Sequence, residues 1–159
     1  MTTLPRPPHH GVILFAHGSR DPQWRAPIEA VRQHIARHPP QVLTCCAYLE
    51  LCEPDLAQAT RDLLAQGAAS ITITPMFLGT GKHAREDLPV LLARLQEAHP
   101  TVRFTLRQAV AEASALVDAM AAVALGKGST TTSRSSLSIA RFISSPRVCE
   151  FGACPQKNM

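Results

Sequence analysis

Gly11 to Ala16 (GVILFA) is a run of six residues with no polar break, bounded by Pro and His before it and by His-Gly-Ser after it. A strand without alternation is buried on both faces, which confines it to the interior of a parallel sheet covered by helices on two sides. The rest of the chain supplies what such a sheet needs. Trp24 to His38 carries Ile28, Val31 and Ile35 at helical spacing, and Pro39-Pro40 stops it. Val42 to Leu49 reads as a second strand; Glu53-Pro54-Asp55 opens a helix that Gly67 ends. Ser70 to Phe77 is a third strand, and residues 78–82 (LGTGK) form a glycine loop before a helix with Leu88, Leu91, Leu92 and Leu95. Val102 to Leu106 is a fourth strand and Glu112 to Leu125 a last helix. Four β-α repeats predict an α/β fold: a flavodoxin-like three-layer αβα sandwich around a four-stranded parallel sheet of order 2-1-3-4.

Composition divides the chain into a short N-terminal extension (1–10), this domain (11–125) and a Ser/Thr-rich basic tail (126–159) that lacks the apolar content to order itself. The division explains the charge. The net +4 is carried by Lys127, Arg134, Arg141, Arg147 and Lys157 against Glu150, whereas residues 1–125 hold eleven basic and eleven acidic side chains. A nucleic-acid-binding domain carries its basic footprint on the folded face, so no nucleic-acid partner is expected. Val12 to Ala16 is too short for a membrane span or a signal-peptide core. Cys45, Cys46, Cys52, Cys149 and Cys154 are odd in number and lack C-x-x-C spacing, which fits neither a disulfide framework nor a zinc finger. A reducing, cytoplasmic setting is expected. Strand alternation sends Cys45 and Cys46 to opposite faces as small buried residues, and His9, His10, His34, His38 and His99 read as solvated.

Ligands of doubly wound sheets bind beyond the carboxyl ends of the strands, at the switch point, here between strands 1 and 3. Strand 1 is followed by His17-Gly18-Ser19-Arg20-Asp21, and strand 3 by Leu78-Gly79-Thr80-Gly81-Lys82-His83. Neighbouring strands lie about 4.8 Å apart, so His17 and His83 could share one divalent ion. Glu50, where strand 2 leaves the sheet, could complete a two-His, one-carboxylate site or take protons from a ligand. Structural histidines and a surface carboxylate remain the alternative. LGTGKH suggests a phosphate loop but lacks the G-x-x-x-x-G-K-[ST] spacing. Arg20, Arg25, Lys82 and Arg85 beside this edge suit a small ligand with several carboxylates, or are ordinary surface charge.

HGSRDP after strand 1, YLELCEP after strand 2 and FLGTGKHAREDLP after strand 3 resemble the signatures of small CbiX-type class II chelatases, the sirohydrochlorin cobaltochelatases and the similar sirohydrochlorin ferrochelatases. The resemblance runs from about Val12 to Leu125 and leaves out the tail. It implies insertion of Co2+, with Fe2+ or Ni2+ as alternatives, into the tetrapyrrole sirohydrochlorin, without an organic cofactor. It carries metal binding to His17 and His83 and a catalytic role to Glu50. Tyr48 stands where the family more often has Phe. Peripheral carboxylates of the macrocycle would meet Arg20, Lys82 and Arg85, and its face would rest on Met76, Leu78 or Tyr48, with Ser19 and Gly79 in the loops around it. Longer members hold two such halves, so this single half implies a homodimer. Protonation of the histidines is expected to abolish metal capture below about pH 6. A metallochaperone or storage module, and a flavodoxin-like anion- or nucleotide-binding domain, are the competing readings.

Overall fold

The computed structural model describes residues 9–37, 42–79 and 81–127, except for the side chains of 82–85; the tail from residue 128 and Pro39-Pro40 lie outside the described residues. Strands β1 (His9–Ala16), β2 (Leu43–Tyr48), β3 (Ala68–Pro75) and β4 (Arg103–Leu106) form one parallel sheet in the order β2-β1-β3-β4. This is the predicted α/β arrangement. The uninterrupted apolar strand is central: Ile13 stands opposite Cys45 on one side and Ile73 on the other. Helices α1 (Ala26–Ala36), α2 (Leu56–Ala65), α3 (Lys82–Ala98) and α4 (Ser114–Ala124) follow the strands in turn.

Alternation along the strands sorts the core into two layers. Ile13, Phe15, Ala47, Ile71 and Ile73 meet Leu56, Ala59 and Leu63 of α2 and Leu88 and Leu95 of α3. Leu14, Ala16, Cys46 and Tyr48 meet Ile28 of α1 on the opposite face, with Val12, Ile35, Cys52 and Met76 partly buried around them. Cys45 and Cys46 fall in different layers, as alternation requires. Burial pushes both thiols up to about 12.

Element ends depart from the sequence pattern where caps and pairing take over. β1 begins at His9, whose N–H donates to the Gly67 carbonyl at 3.2 Å. His10 lies within that strand, Nδ1 2.8 Å from Ser70 Oγ and Nε2 3.2 Å from Thr72 Oγ1. Neither histidine is therefore part of a detached extension, because the ladder to β3 gives their backbone partners. The segment from Pro22 to Arg25 is a 3-10 turn, with Asp21 accepting from the Gln23 N–H at 2.9 Å, and the α-helix starts only at Ala26. Asp55 caps α2 by accepting from the Gln58 N–H at 2.6 Å, so Pro54 lies outside the helix. Lys82 belongs to the first turn of α3 rather than to the glycine loop. The last helix is divided by Ala113, extended at ψ 121°, into a 3-10 turn (Val110–Glu112) and α4.

Candidate functional site

The site is built where β1, β2 and β3 leave the sheet. Leu49 N–H donates to the Ala16 carbonyl at 2.9 Å and Glu50 N–H to the His17 carbonyl at 3.0 Å, so the loops after β1 and β2 stay bonded past the strands. Met76 N–H donates to the Phe15 carbonyl at 2.7 Å and ties the β3 exit to the same place. Gly18 permits this closeness. Its φ is +99°, and a Cβ there would lie 1.9 Å from the Glu50 carbonyl oxygen, a contact no side chain survives.

His17 leaves β1 half-buried, its ring stacked on Phe77 with centroids 4.2 Å apart and planes 28° apart. Phe77 is 2% exposed and meets Phe15 edge-on at 6.0 Å. The imidazole thus rests on a ring that the core holds in place. Beside it opens a cleft of about 600 Å3 on the α1 side of the sheet. Trp24, Pro27, Ile28 and Val31 form one wall; Met76, Phe77, Leu78 and Gly79 form the floor after β3; Val110 and Leu116 close the far side. Among the described residues that line it, His17 is the one ionisable group. Leu78 is 71% exposed, an apolar side chain placed in water at the cleft mouth.

Of the residues singled out from sequence, His17, Met76, Leu78 and Gly79 come together in this cleft. Ser19 lies in the loop after β1, where its Oγ accepts from the Asp21 N–H at 3.1 Å, and Arg20 is exposed beside it. Glu50 is exposed, bonded to the His17 segment through its backbone, and does not line the cleft. Tyr48 is not an open aromatic wall: it is 2% exposed, with Trp24 tilted against it at 6.4 Å and the Arg25 guanidinium 5.4 Å from its ring centre. Its even-numbered place in β2 turns it toward α1, and burial pushes its phenol up to about 12. His83 belongs by backbone to the first turn of α3; its side chain, with those of Lys82 and Arg85, lies outside the described residues. Among the described residues no three His, Cys, Asp or Glu side chains stand together as a metal site.

Sequence reasoning misses Trp24, Phe77, Val110 and Leu116. Phe77 shares the parity of Ile71 and Ile73 and reads as core, which it also is; Trp24, the single tryptophan, adjoins HGSRDP and offers a signal for the cleft wall. Val110 and Leu116 come from a segment whose position only the fold reveals.

A parallel sheet with an apolar cleft and the His17 imidazole at its switch point defines a class of small-ligand α/β domains. The sequence model of the CbiX family matches residues 11–126, and the chain belongs to that family. The sirohydrochlorin cobaltochelatase of Saccharolobus solfataricus is 35% identical over 82 residues, 52% of this chain and 62% of that protein. That of Methanopyrus kandleri is 31% identical over 81 residues, 51% of this chain and 57% of its own length. The chain thus spans less than two thirds of these curated relatives. Among solved structures, a CbiX protein from Marinobacter aquaeolei VT8 superposes with a TM-score of 0.65 at 30% identity, covering 74% of this chain and 96% of that one. The sirohydrochlorin chelatase SirB of Bacillus subtilis, in complex with cobalt, shares the fold with a TM-score of 0.65 at 24% identity; 74% of this chain covers 50% of that one. Among the described residues no helix is long and apolar enough to cross a membrane.

Proposed function

We propose that the chain is a sirohydrochlorin chelatase, a lyase that inserts Co2+ into sirohydrochlorin, with Fe2+ and Ni2+ as alternative metal substrates. The observation that carries this reading is the His17 imidazole, braced on a core phenylalanine, at the edge of a cleft whose other described lining residues are apolar. A flat macrocycle suits such a lining, and a divalent metal suits a neutral imidazole. The curated relatives, named sirohydrochlorin cobaltochelatases, support the same substrate.

In this reading His17 and His83 hold the metal as it arrives. The macrocycle lies on Met76 and Leu78, with Trp24 as its wall. Arg20 faces its carboxylates from the loop after β1, and Lys82 and Arg85 from the start of α3, with Ser19 and Gly79 in the loops after β1 and β3. The metal replaces two N–H protons of the ring, and Glu50 or a histidine accepts them. Imidazole and carboxylate ligands do not discriminate among Co2+, Fe2+ and Ni2+, so the supply of metal sets which is inserted, and no organic cofactor takes part. Two copies pair to close the cleft. Val117, Met120 and Val123 of α4, which are 49%, 40% and 70% exposed, support that pairing.

Mixing protein, sirohydrochlorin and Co2+ and following the absorbance of the metallated product tests the activity. Catalysed insertion is expected with Co2+ and is to be compared with Fe2+ and Ni2+. Metal binding without an optical change in the tetrapyrrole would instead make the chain a metal carrier or store, and indifference to both would leave an anion- or nucleotide-binding domain.

A further inference from the structure

Behind the cleft wall lie two buried hydrogen-bond donors with no hydrogen-bond partner, Arg25 Nε and the Tyr48 hydroxyl. They belong together, since the guanidinium carbon of Arg25 sits 5.4 Å from the Tyr48 ring centre. The Tyr48 oxygen could accept from the Nε–H, but the two are not hydrogen-bonded, and a guanidinium offers the hydroxyl proton no acceptor; each N–H or O–H is left to find an acceptor elsewhere. Among the described residues no side chain is bonded to either of them. Leu14, Ala16, Ile28 and Cys46 pack this layer, and Glu29, four residues on from Arg25, is bonded to Arg32 Nε at 2.7 Å. A buried donor left unmet is costly, and two on neighbouring side chains suit a group with two acceptor oxygens. Trp24 forms the cleft wall on one side and touches Tyr48 on the other. Its indole is 37% exposed and stands between the cleft and the Tyr48 ring.

We propose that Arg25 and Tyr48 form a carboxylate subsite, in which a carboxylate-bearing side arm of the cleft ligand passes the edge of Trp24 and accepts from Arg25 Nε–H and the Tyr48 hydroxyl. That the arm belongs to a tetrapyrrole rests on the functional reading above; the subsite itself does not. Burial keeps the Tyr48 phenol protonated at neutral pH and therefore a donor. The pair fixes the rotation of the bound ligand and acts on binding rather than on metal transfer, because neither group lines the floor beside His17.

Trp24 is the single tryptophan of the chain, so its emission reports on this place directly. The full chain is titrated with succinate at constant ionic strength, with chloride as control, and the KM and kcat for sirohydrochlorin are measured in parallel. Succinate is expected to change Trp24 emission saturably in the unaltered protein. Arg25→Met abolishes that response and raises the KM about tenfold or more with kcat within about twofold, the scale of a lost charge-assisted bond. Arg25→Lys keeps the charge without the Nε–H and recovers only part of the affinity. Tyr48→Phe, which keeps the packing, weakens succinate about three- to tenfold. Absence of a succinate response in the unaltered protein, or a response and KM unchanged by Arg25→Met and Tyr48→Phe, overturns the subsite and leaves the donors to solvent. Loss of the succinate response in Arg25→Met in a protein that does not metallate sirohydrochlorin upholds the subsite and overturns the chelatase reading instead.

Discussion

On the α2–α3 side of the sheet, Ile13, Phe15, Ile71 and Ile73 are each 0% exposed and two helices cover them. On the other side, α1 covers β1 and β2, whereas the β3 positions that share its face are Ser70, Thr72 and Thr74, and α4 buries none of its residues. One face is completed as a hydrophobic layer and the other is left partly open, with hydroxyls on the sheet and a cleft at its carboxyl edge. The difference separates the two tasks of a small domain. Stability comes from a face packed without gaps, and a ligand enters only where packing stops. Phe77 joins the two, being core on one side and the support of His17 on the other.

Substitutions on the two faces are expected to diverge. Phe15→Ala removes a fully buried ring from the closed layer and should lower unfolding free energy by about 3–5 kcal/mol, read by urea denaturation; a loss under about 1 kcal/mol would mean that this face is not the stabilising one. Gly18→Ala follows, at about 2–4 kcal/mol. Its Cβ would strike the Glu50 carbonyl, so it should also displace His17 and suppress metal insertion, whereas Phe15→Ala should spare the insertion rate of the molecules that remain folded.

Alkaline pH acts on both layers through Cys45 and Cys46. Their thiols ionise near 12 in the fold against an ordinary value near 9. Between those values the unfolded chain has released protons that the fold retains, so stability is full below about pH 9 and falls as pH rises toward 12. Melting curves across that window should show the decline, and a Cys45→Ala, Cys46→Ala protein should show less of it. Leu78→Ser marks the small end of the scale. Exposed at the cleft mouth, it should change stability by no more than about 0.5 kcal/mol and still weaken sirohydrochlorin severalfold; a large drop in melting temperature would place Leu78 in the core after all.

The two faces also differ in how far the sequence reveals them. Strand order and the closed layer are written in local periodicity, since an unbroken run such as GVILFA has one place to go and the odd-numbered residues of β3 are apolar. His17 and the loop of Leu78 and Gly79 are legible because strand ends at a switch point follow from topology, whereas Met76 enters only through the family resemblance. The orientation of Tyr48 is not legible, because an aromatic at a strand end can face the cleft or lie under a helix, and its parity with Cys46 decides for the helix. Trp24, Val110 and Leu116 were not legible as one surface, because they come from a 3-10 turn, another turn after β4 and the start of α4. Local pattern carries no information on how such segments converge.

The most direct test of the account is the rate of sirohydrochlorin metallation by His17→Ala at limiting Co2+. The stacked imidazole over Phe77 predicts that the rate falls by at least tenfold and is partly restored by excess metal, with the melting temperature little changed. A His17→Ala protein that metallates sirohydrochlorin at the unaltered rate under limiting Co2+ would contradict it.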